Sequence, residues 1–316
     1  MKRIAWGTSK LLWLYLQNTT DRDWDYVIDD FTDQTQFEGI PIRRSGQLRN
    51  EDLGHCHVYV FAVSNESLVA ILARLASFGM VLGGNVHLYS DLFAASFADS
   101  VRAQLGWTVD PALLDYSVSA HLNSRKLIHT TLCGSWLFLE CVRHLGGVAG
   151  DLAEIGCFEG GNALLCLQSS VWRTGKRYFL FDSFEGFPSP SIKDPPATRA
   201  GDYATTKLFG EIMAPFAPYR EVRVVKGFVP ETFSLLPDTA QFSLVFYDCD
   251  LYEPALDTFA YFWDRLPPRG MILIHDYFAA PGGFHGVRQA TSEFFDARAI
   301  NIVPFWHNTM AVAIKR

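Results

Sequence analysis

Five apolar strands in the second half of the chain each stop abruptly on a glycine, an acid or a histidine, and this repeated ending constrains the fold most. "DLAEIG", "RYFLFD", "EVRVVKG", "FSLVFYD" and "GMILIHDY" alternate with the helix-like stretches "GGNALLCLQSSVWR", "VPETFSLL" and "YEPALDTFAYFWDRL". The strands lack the alternation of a half-solvated sheet, so both faces are expected to be covered, which means a parallel sheet with helical crossovers. The late segments "GVRQATSEFFDAR", "NIVPFW" and "TMAVAIKR" add a helix and an antiparallel edge pair. In such a sheet, ligands bind beyond the carboxyl ends of the strands, near the switch in strand order.

The first hundred residues repeat the alternation on a smaller scale. Strands at Arg3 to Trp6, Tyr26 to Ile28 and Val58 to Val63 and helices at Lys10 to Leu16 and Glu66 to Ser77 predict a small α/β unit. Weak punctuation at 80–110 (Gly83, Gly84, Asp91, Asp99, Asp110-Pro111) places the expected boundary at residue 100. The expected fold class is therefore α/β: a Rossmann-like, doubly wound, mostly parallel domain with an antiparallel edge strand at 101–316, preceded by a smaller Rossmann-like domain at 1–100. One helical stretch is expected over 113–147, with His121, His129 and His144 on its surface or partly packed. "WGTSK" after the first strand resembles a phosphate-binding turn, but only Gly7 of a G-x-G-x-x-G pattern is present, which favours a scaffold, docking or acceptor-binding role over dinucleotide binding. "VIDDF" ends a strand on acids, as ribose-binding strands and solvated strand ends both do.

With 316 residues and 49% hydrophobic content, the chain has ample material for two cores. Its net charge of -7 provides no field for nucleic acid or an anionic membrane. Six scattered cysteines without C-x-x-C spacing read as reduced core residues. "MKRIAWGTSK" turns polar too early for a signal peptide, and no apolar run is long enough to span a bilayer, so a cytoplasmic protein is expected.

The strand ends carry the candidate chemistry. "EIGCFEGG" supplies Gly156, Gly160 and Gly161, which let the backbone turn tightly beside a helix start. The following strands end on Asp182, on Lys226-Gly227-Phe228, on Asp248 and Asp250, and on His275-Asp276. Asp182 is placed to accept ribose hydroxyls. Glu154 and Glu159 in the loop repel a pyrophosphate and suit a cation, so S-adenosylmethionine, with its ammonium and sulfonium, is favoured over NAD.

"AEIGCFEGGNA", "FLFDSFEGFPSP", "VVKGFVPETF", "FYDCDLYEPALDTF" and "ILIHDY" together resemble the macrocin O-methyltransferase family of class I S-adenosylmethionine-dependent enzymes, over roughly residues 115–300. "DSFEGFP" and "DxDLYE" carry most of that specificity. The resemblance implies O-methylation of a sugar hydroxyl on a natural product. It places Glu154, Gly156, Glu159, Gly160 and Gly161 at the methionine end of the cofactor, Asp182 and Ser183 at the ribose, and Lys226, Gly227 and Phe228 near the adenine. It also implies a divalent metal, typically magnesium, on Asp248 and Asp276. The usual Asp-Asp pair is here His275-Asp276, and imidazole suits magnesium less well than an acid does, so Asp250, waters or another metal are the alternatives for completing the site.

Methyl transfer by SN2 displacement needs an in-line acceptor oxygen relieved of its proton. His275, alone or with Asp248, is the candidate base; the competing reading has it orienting the D-x-D loop. Tyr252, His285 and Arg288 are candidate acceptor contacts, the last two on the glycine-rich segment 279–290, and 188–210 reads as a lid with Tyr203 as a contact or as a surface linker. Catechols, carboxylates and carrier-bound intermediates remain alternative acceptors, and a dinucleotide-binding oxidoreductase or a non-catalytic module the rival functions. Pairing of two copies is expected by analogy alone.

Overall fold

The computed structural model describes residues 1–124, 127–173, 175–280 and 283–316. The chain forms two compact units, Met1–Gly134 with Trp306–Asn308, and Ser135–Phe305 with Thr309–Arg316. Against the expected division at residue 100, residues 101–134 belong with the first unit.

In the first unit, strands β1 (Lys2–Trp6), β2 (Tyr26–Ile28), β3 (Gln36–Phe37), β4 (Ile40–Arg43), β5 (Cys56–Val60) and β6 (Val86–Leu88) form a sheet in the order β3-β4-β2-β1-β5-β6. All its pairs are parallel except β3 with β4. The helices are α1 (Lys10–Asn18), α2 (Asn65–Ala76), α3 (Tyr89–Leu105) and α4 (Pro111–Asn123). Asp110-Pro111, read as punctuation in the sequence, is a helix start: the Asp110 carboxylate accepts from Ala112 N at 3.0 Å and proline occupies the first turn, where it forfeits no hydrogen bond. The residues of the expected boundary region thus form β6 and α3.

The phosphate-like turn after β1 is closed on itself. The Thr8 hydroxyl donates to Asp29, Ser9 Oγ donates to Phe61 O at 2.7 Å, and a Cβ on Gly7 would lie 3.1 Å from Phe61 O. Gly7 N, Thr8 N and both hydroxyls of this turn are thus engaged with neighbouring strand ends.

The unit's core is aromatic. Tyr15, Phe61, Phe93 and Tyr89 pack ring against ring, and His307 lies among Phe93, Phe97 and Trp306 with ring centroids 5.9, 5.6 and 3.9 Å away. His307 is buried, its Nε2 lies 3.1 Å from Ser96 Oγ, and its Nδ1 has no hydrogen-bond partner among the described residues. Burial therefore pushes its pKa down to about 3. Unfolded, the ring has an ordinary pKa of about 6.5, so between these values the unfolded chain binds the extra proton and stability falls as pH is lowered. Lowering the pH from 6.5 to 5 is expected to cost about 2 kcal/mol through this ring. Denaturant titrations of wild type and His307→Phe at both pH values check this: the variant should lose less stability over the interval, and equal losses refute the assignment.

The second unit contains α5 (Leu132–His144) from Ser135 onward, then β7 (Asp151–Ile155), α6 (Gly161–Leu167), β8 (Tyr178–Asp182), α7 (Phe209–Met213), β9 (Val222–Lys226), β10 (Phe242–Tyr247), α8 (Tyr252–Trp263), β11 (Met271–Ile274), α9 (His285–Asp296), β12 (Ile302–Phe305) and β13 (Met310–Ile314). Its sheet order is β12-β13-β11-β10-β7-β8-β9, parallel except that β13 runs antiparallel to β11 and β12. This is the doubly wound sheet expected, with the switch in order between β7 and β10. All six residues of β10 are buried, because both faces are covered. Phe259 and Phe262 of α8 and Phe294 and Phe295 of α9 pack on Ile155, Phe181, Val245 and Ile274; on the other face Phe138 of α5 stacks on Phe246 at 5.2 Å. Burying such a side chain stabilises the fold by about 1.5–3 kcal/mol.

The single helical stretch expected over 113–147 is two helices, α4 and α5; Arg125 and Lys126, within it, lie outside the described residues. His121, expected at the surface or partly packed, is buried, with Nε2 2.9 Å from Thr130 O. "VPETFSLL" forms only a 3-10 turn at Glu231–Leu235, and α6 ends at Leu167, short of the predicted Arg173. All six cysteines are free, and all but the half-buried Cys249 are buried. Among the described residues no helix is long and apolar enough to cross a membrane.

Candidate active site

Strand register assembles the site. Ile155, Phe181, Tyr247 and Ile274 are mutual partners across β8-β7-β10-β11. The next residue on each strand is therefore abreast of its neighbours, giving the row Asp182, Gly156, Asp248, His275 at the switch point. Backbone bonds carry the ladder into this row: Gly156 N donates to Phe181 O at 2.9 Å, Asp248 N to Ile155 O at 2.8 Å, and His275 N to Tyr247 O at 2.9 Å.

The glycines are required by the protein's own packing. Gly156 has φ +87°, and a Cβ there would lie 2.2 Å from the carbonyl oxygen of Asp248; at Gly160, φ +78°, it would lie 2.4 Å from Cζ of Phe216. The close approach expected for a ligand is thus made, at these two atoms, by β10's continuation and by a buried ring. Gly161 is the first residue of α6 and is buried.

Glu154 is fully buried. Its Oε2 accepts from Tyr178 Oη at 2.7 Å, while Oε1 has no hydrogen-bond partner among the described residues. Burial, opposed by the tyrosine and reinforced by Asp248, pushes its pKa up to about 8. Asp182 accepts from Phe158 N at 2.7 Å and Phe184 N at 2.6 Å, and burial still raises its pKa. Ser183 closes its own turn, donating to Gly186 O at 2.9 Å. Lys226 is exposed, 3.5 Å from Glu185; Gly227 N donates to Asp182 O at 2.9 Å. Phe228 and Gly227 line a shallow cleft of about 460 Å³ together with Pro188, Val229 and Leu235.

Glu159 is buried but committed. Its carboxylate accepts from Lys207 and from Thr205 Oγ1, at 3.1 Å for the latter, so residues of the 188–210 segment neutralise the charge expected to face the cofactor. The same segment is held at its other end, where the buried Asp194 accepts from Tyr252 N at 2.8 Å. Tyr252, expected to meet the acceptor, has its hydroxyl held by Lys193 and Glu293. Tyr203 is exposed, its ring 5.0 Å from Phe187. His285 is the exposed first residue of α9, and the exposed Arg288 lies 5.5 Å over the Tyr277 ring. Pro281 and Gly282, just before them in the chain, lie outside the described residues.

His275 is buried and flanked by acids. Its Nδ1 lies 2.6 Å from Asp248 Oδ1 and 3.4 Å from Asp276 Oδ2, yet neither oxygen lies in hydrogen-bonding alignment with a ring N–H, and Nε2 has no partner. Burial opposes the imidazolium, but the two carboxylates outweigh it and push the pKa up to about 10. Asp250, φ +61°, is pushed well above the carboxylate range by burial and by Asp276 and Asp248. Asp248, Asp250 and His275 offer one donor atom each, all within 4.8 Å of one another. Asp276, expected as a metal ligand, is outside that set and hydrogen-bonds Asp250 instead.

Sequence reasoning missed Tyr178, Phe216, Thr205 and Lys207. Tyr178 had a readable signal: Leu152 pairs with Tyr178 and Glu154 with Leu180, so Tyr178 shares a face with Glu154. Thr205 and Lys207 sit in an irregular segment and Phe216 in a single 3-10 turn, where no period points to a partner.

Residues 138–316 match the macrocin O-methyltransferase (TylF) family. A curated relative, the 8-demethyl-8-(2,3-dimethoxy-alpha-L-rhamnosyl)-tetracenomycin-C 4'-O-methyltransferase of Streptomyces olivaceus, is 28% identical over 229 residues, 65% of this chain and 82% of that protein. Among solved structures, the calicheamicin methyltransferase CalS11 superposes with a TM-score of 0.51 at 15% identity, over 70% of this chain and 91% of that one, a likeness of fold. The O-methyltransferase NovP gives a TM-score of 0.47 at 20% identity, over 72% and 99%.

Proposed function

The chain belongs to the macrocin O-methyltransferase (TylF) family, and from that membership we propose that its S-adenosylmethionine-dependent methyl transfer is directed to a sugar hydroxyl on a small-molecule natural product. The observation that carries this reading is the row Asp182, Gly156, Asp248, His275 across four adjacent strands at the switch point. The curated relative, named for methylating a rhamnosyl group, supports the choice of acceptor.

The residues present fit the cofactor: Glu154 keeps a buried carboxylate oxygen without a partner, suited to the ammonium, and Asp182 ends the strand next to it. Glu154 would hold the methionine end, Asp182 the ribose, and the 226–228 turn the adenine. When bound, the cofactor supplies a methyl group activated by its sulfonium.

Asp248 is the proton acceptor in this reading. Without an ion, the flanking carboxylates push the His275 pKa up to about 10, so the ring keeps its proton and orients the Asp248 carboxylate from 2.6 Å; a bound ion would displace that proton to use the ring nitrogen. Asp248, Asp250 and His275 also fit a divalent ion by their donor spacing. Such an ion would lower the pKa of the acceptor hydroxyl.

Calorimetry with S-adenosylhomocysteine should show tight saturable binding, and mass spectrometry of a rhamnosylated polyketide should show a methyl group on the sugar. Methylation of the free aglycone in preference to the glycoside would sink the sugar reading.

A further inference from the structure

We propose that His275 makes the acidic cluster at the ends of β10 and β11 a site for a divalent transition ion of the manganese-to-zinc series in preference to magnesium. This rests on the metal reading given above and concerns which ion is chosen.

The donor set is mixed. Asp248 and Asp250 offer oxygen and His275 offers nitrogen, all within 4.8 Å, so a small inward shift brings them to one ion with bonds of about 2.0–2.2 Å. An acidic cluster alone would say little. The second observation is the imidazole itself: it is 5% exposed, Nδ1 stands 2.6 Å from Asp248 Oδ1 without hydrogen-bonding alignment, and Nε2 has no hydrogen-bond partner among the described residues. A buried polar atom left unpaired costs about 1–3 kcal/mol, so a ligand bond at one of these nitrogens would recover what the fold forgoes. Asp276, hydrogen-bonded to Asp250, then holds a ligand in place from behind.

Magnesium demands near-octahedral oxygen coordination and sheds water reluctantly, so a fixed imidazole occupies a position it uses poorly. Manganese, cobalt, nickel and zinc accept imidazole beside carboxylates, with affinity rising from manganese through cobalt to nickel and copper and falling again at zinc.

The test uses full-length protein stripped with chelator and dialysed against Co²⁺, Mn²⁺ or Mg²⁺, with bound metal counted by mass spectrometry and the visible absorption of the Co²⁺ form recorded. Wild type should bind Co²⁺ at least about 100-fold more tightly than Mg²⁺. His275→Asp should narrow that ratio to within about 10-fold and shift the Co²⁺ bands, as a nitrogen ligand is lost. Equal affinity of wild type for both ions, retention of neither, or an unchanged ratio in His275→Asp overturns the proposal. Should His275→Asp fail to fold, the wild-type ratio and its Co²⁺ spectrum decide alone. Calorimetry with S-adenosylhomocysteine on the same samples separates the two readings: protein that binds the homocysteine form but no ion refutes this inference and leaves the methyltransferase reading standing.

Discussion

Replacement of Asp248 by Asn is expected to lower turnover by about 10²–10⁴-fold, the usual contribution of a positioned base, while binding of S-adenosylhomocysteine stays unchanged. The amide has the same shape, so the backbone that packs over Gly156 is undisturbed, but it cannot take a proton at neutral pH. It also leaves His275 with Asp276, 3.4 Å away, as its near acid, so the ring loses the contact at 2.6 Å that fixes it. Asp248 is not placed as a cofactor contact, which is why cofactor affinity should hold. Single-turnover rates at saturating cofactor, with calorimetry alongside, check both halves. Near-wild-type turnover in Asp248→Asn would remove Asp248 from the chemistry.

The second large effect is on stability. Gly156→Ala is expected to cost about 4 kcal/mol, roughly 10 °C in melting temperature, through a backbone clash added to left-handed strain. The added Cβ would sit 2.2 Å from Asp248 O and 2.7 Å from Asp248 C, so nothing flexible can give way and β10's continuation must leave β7. Gly201→Ala is the control, because Gly201 has nearly the same φ, +86°, and nothing within 4 Å of its Cβ position. It should show only the conformational penalty, about 1 kcal/mol. Equal losses in the two variants would mean that dihedral strain, and not the contact with Asp248, makes glycine necessary at 156.

The active row was legible because strand register is a local property: apolar runs of similar length, each ended by a polar residue, place those residues side by side once the strands pair in parallel. Asp248 and His275 could thus be paired from the sequence. Their electrostatics could not, since a histidine's charge depends on how many carboxylates burial leaves around it, and Asp276 faces it only through its own left-handed backbone, φ +50°. Gly160 shows the same limit. Its pattern says glycine, but the reason is the ring of Phe216, far along the chain and at the end of a short 3-10 turn. Glu159 was read as free for the cofactor because nothing in "EIGCFEGG" announces a lysine arriving from a distant proline-rich segment. The first unit was legible in its strands but not its extent, since Asp-Pro opens helices as readily as it punctuates loops.

Trp306–Asn308 carries a consequence for biosynthesis. These residues complete the first unit's core, yet lie between the last two strands of the second. During translation the first unit emerges before the second and must wait, with Phe93 and Phe97 lacking their His307 contacts, until residues 306–308 have left the ribosome. Its core is thus completed only after most of the second unit has been made, and nascent chains stalled before residue 306 should expose aromatic surface to chaperones that the folded unit conceals.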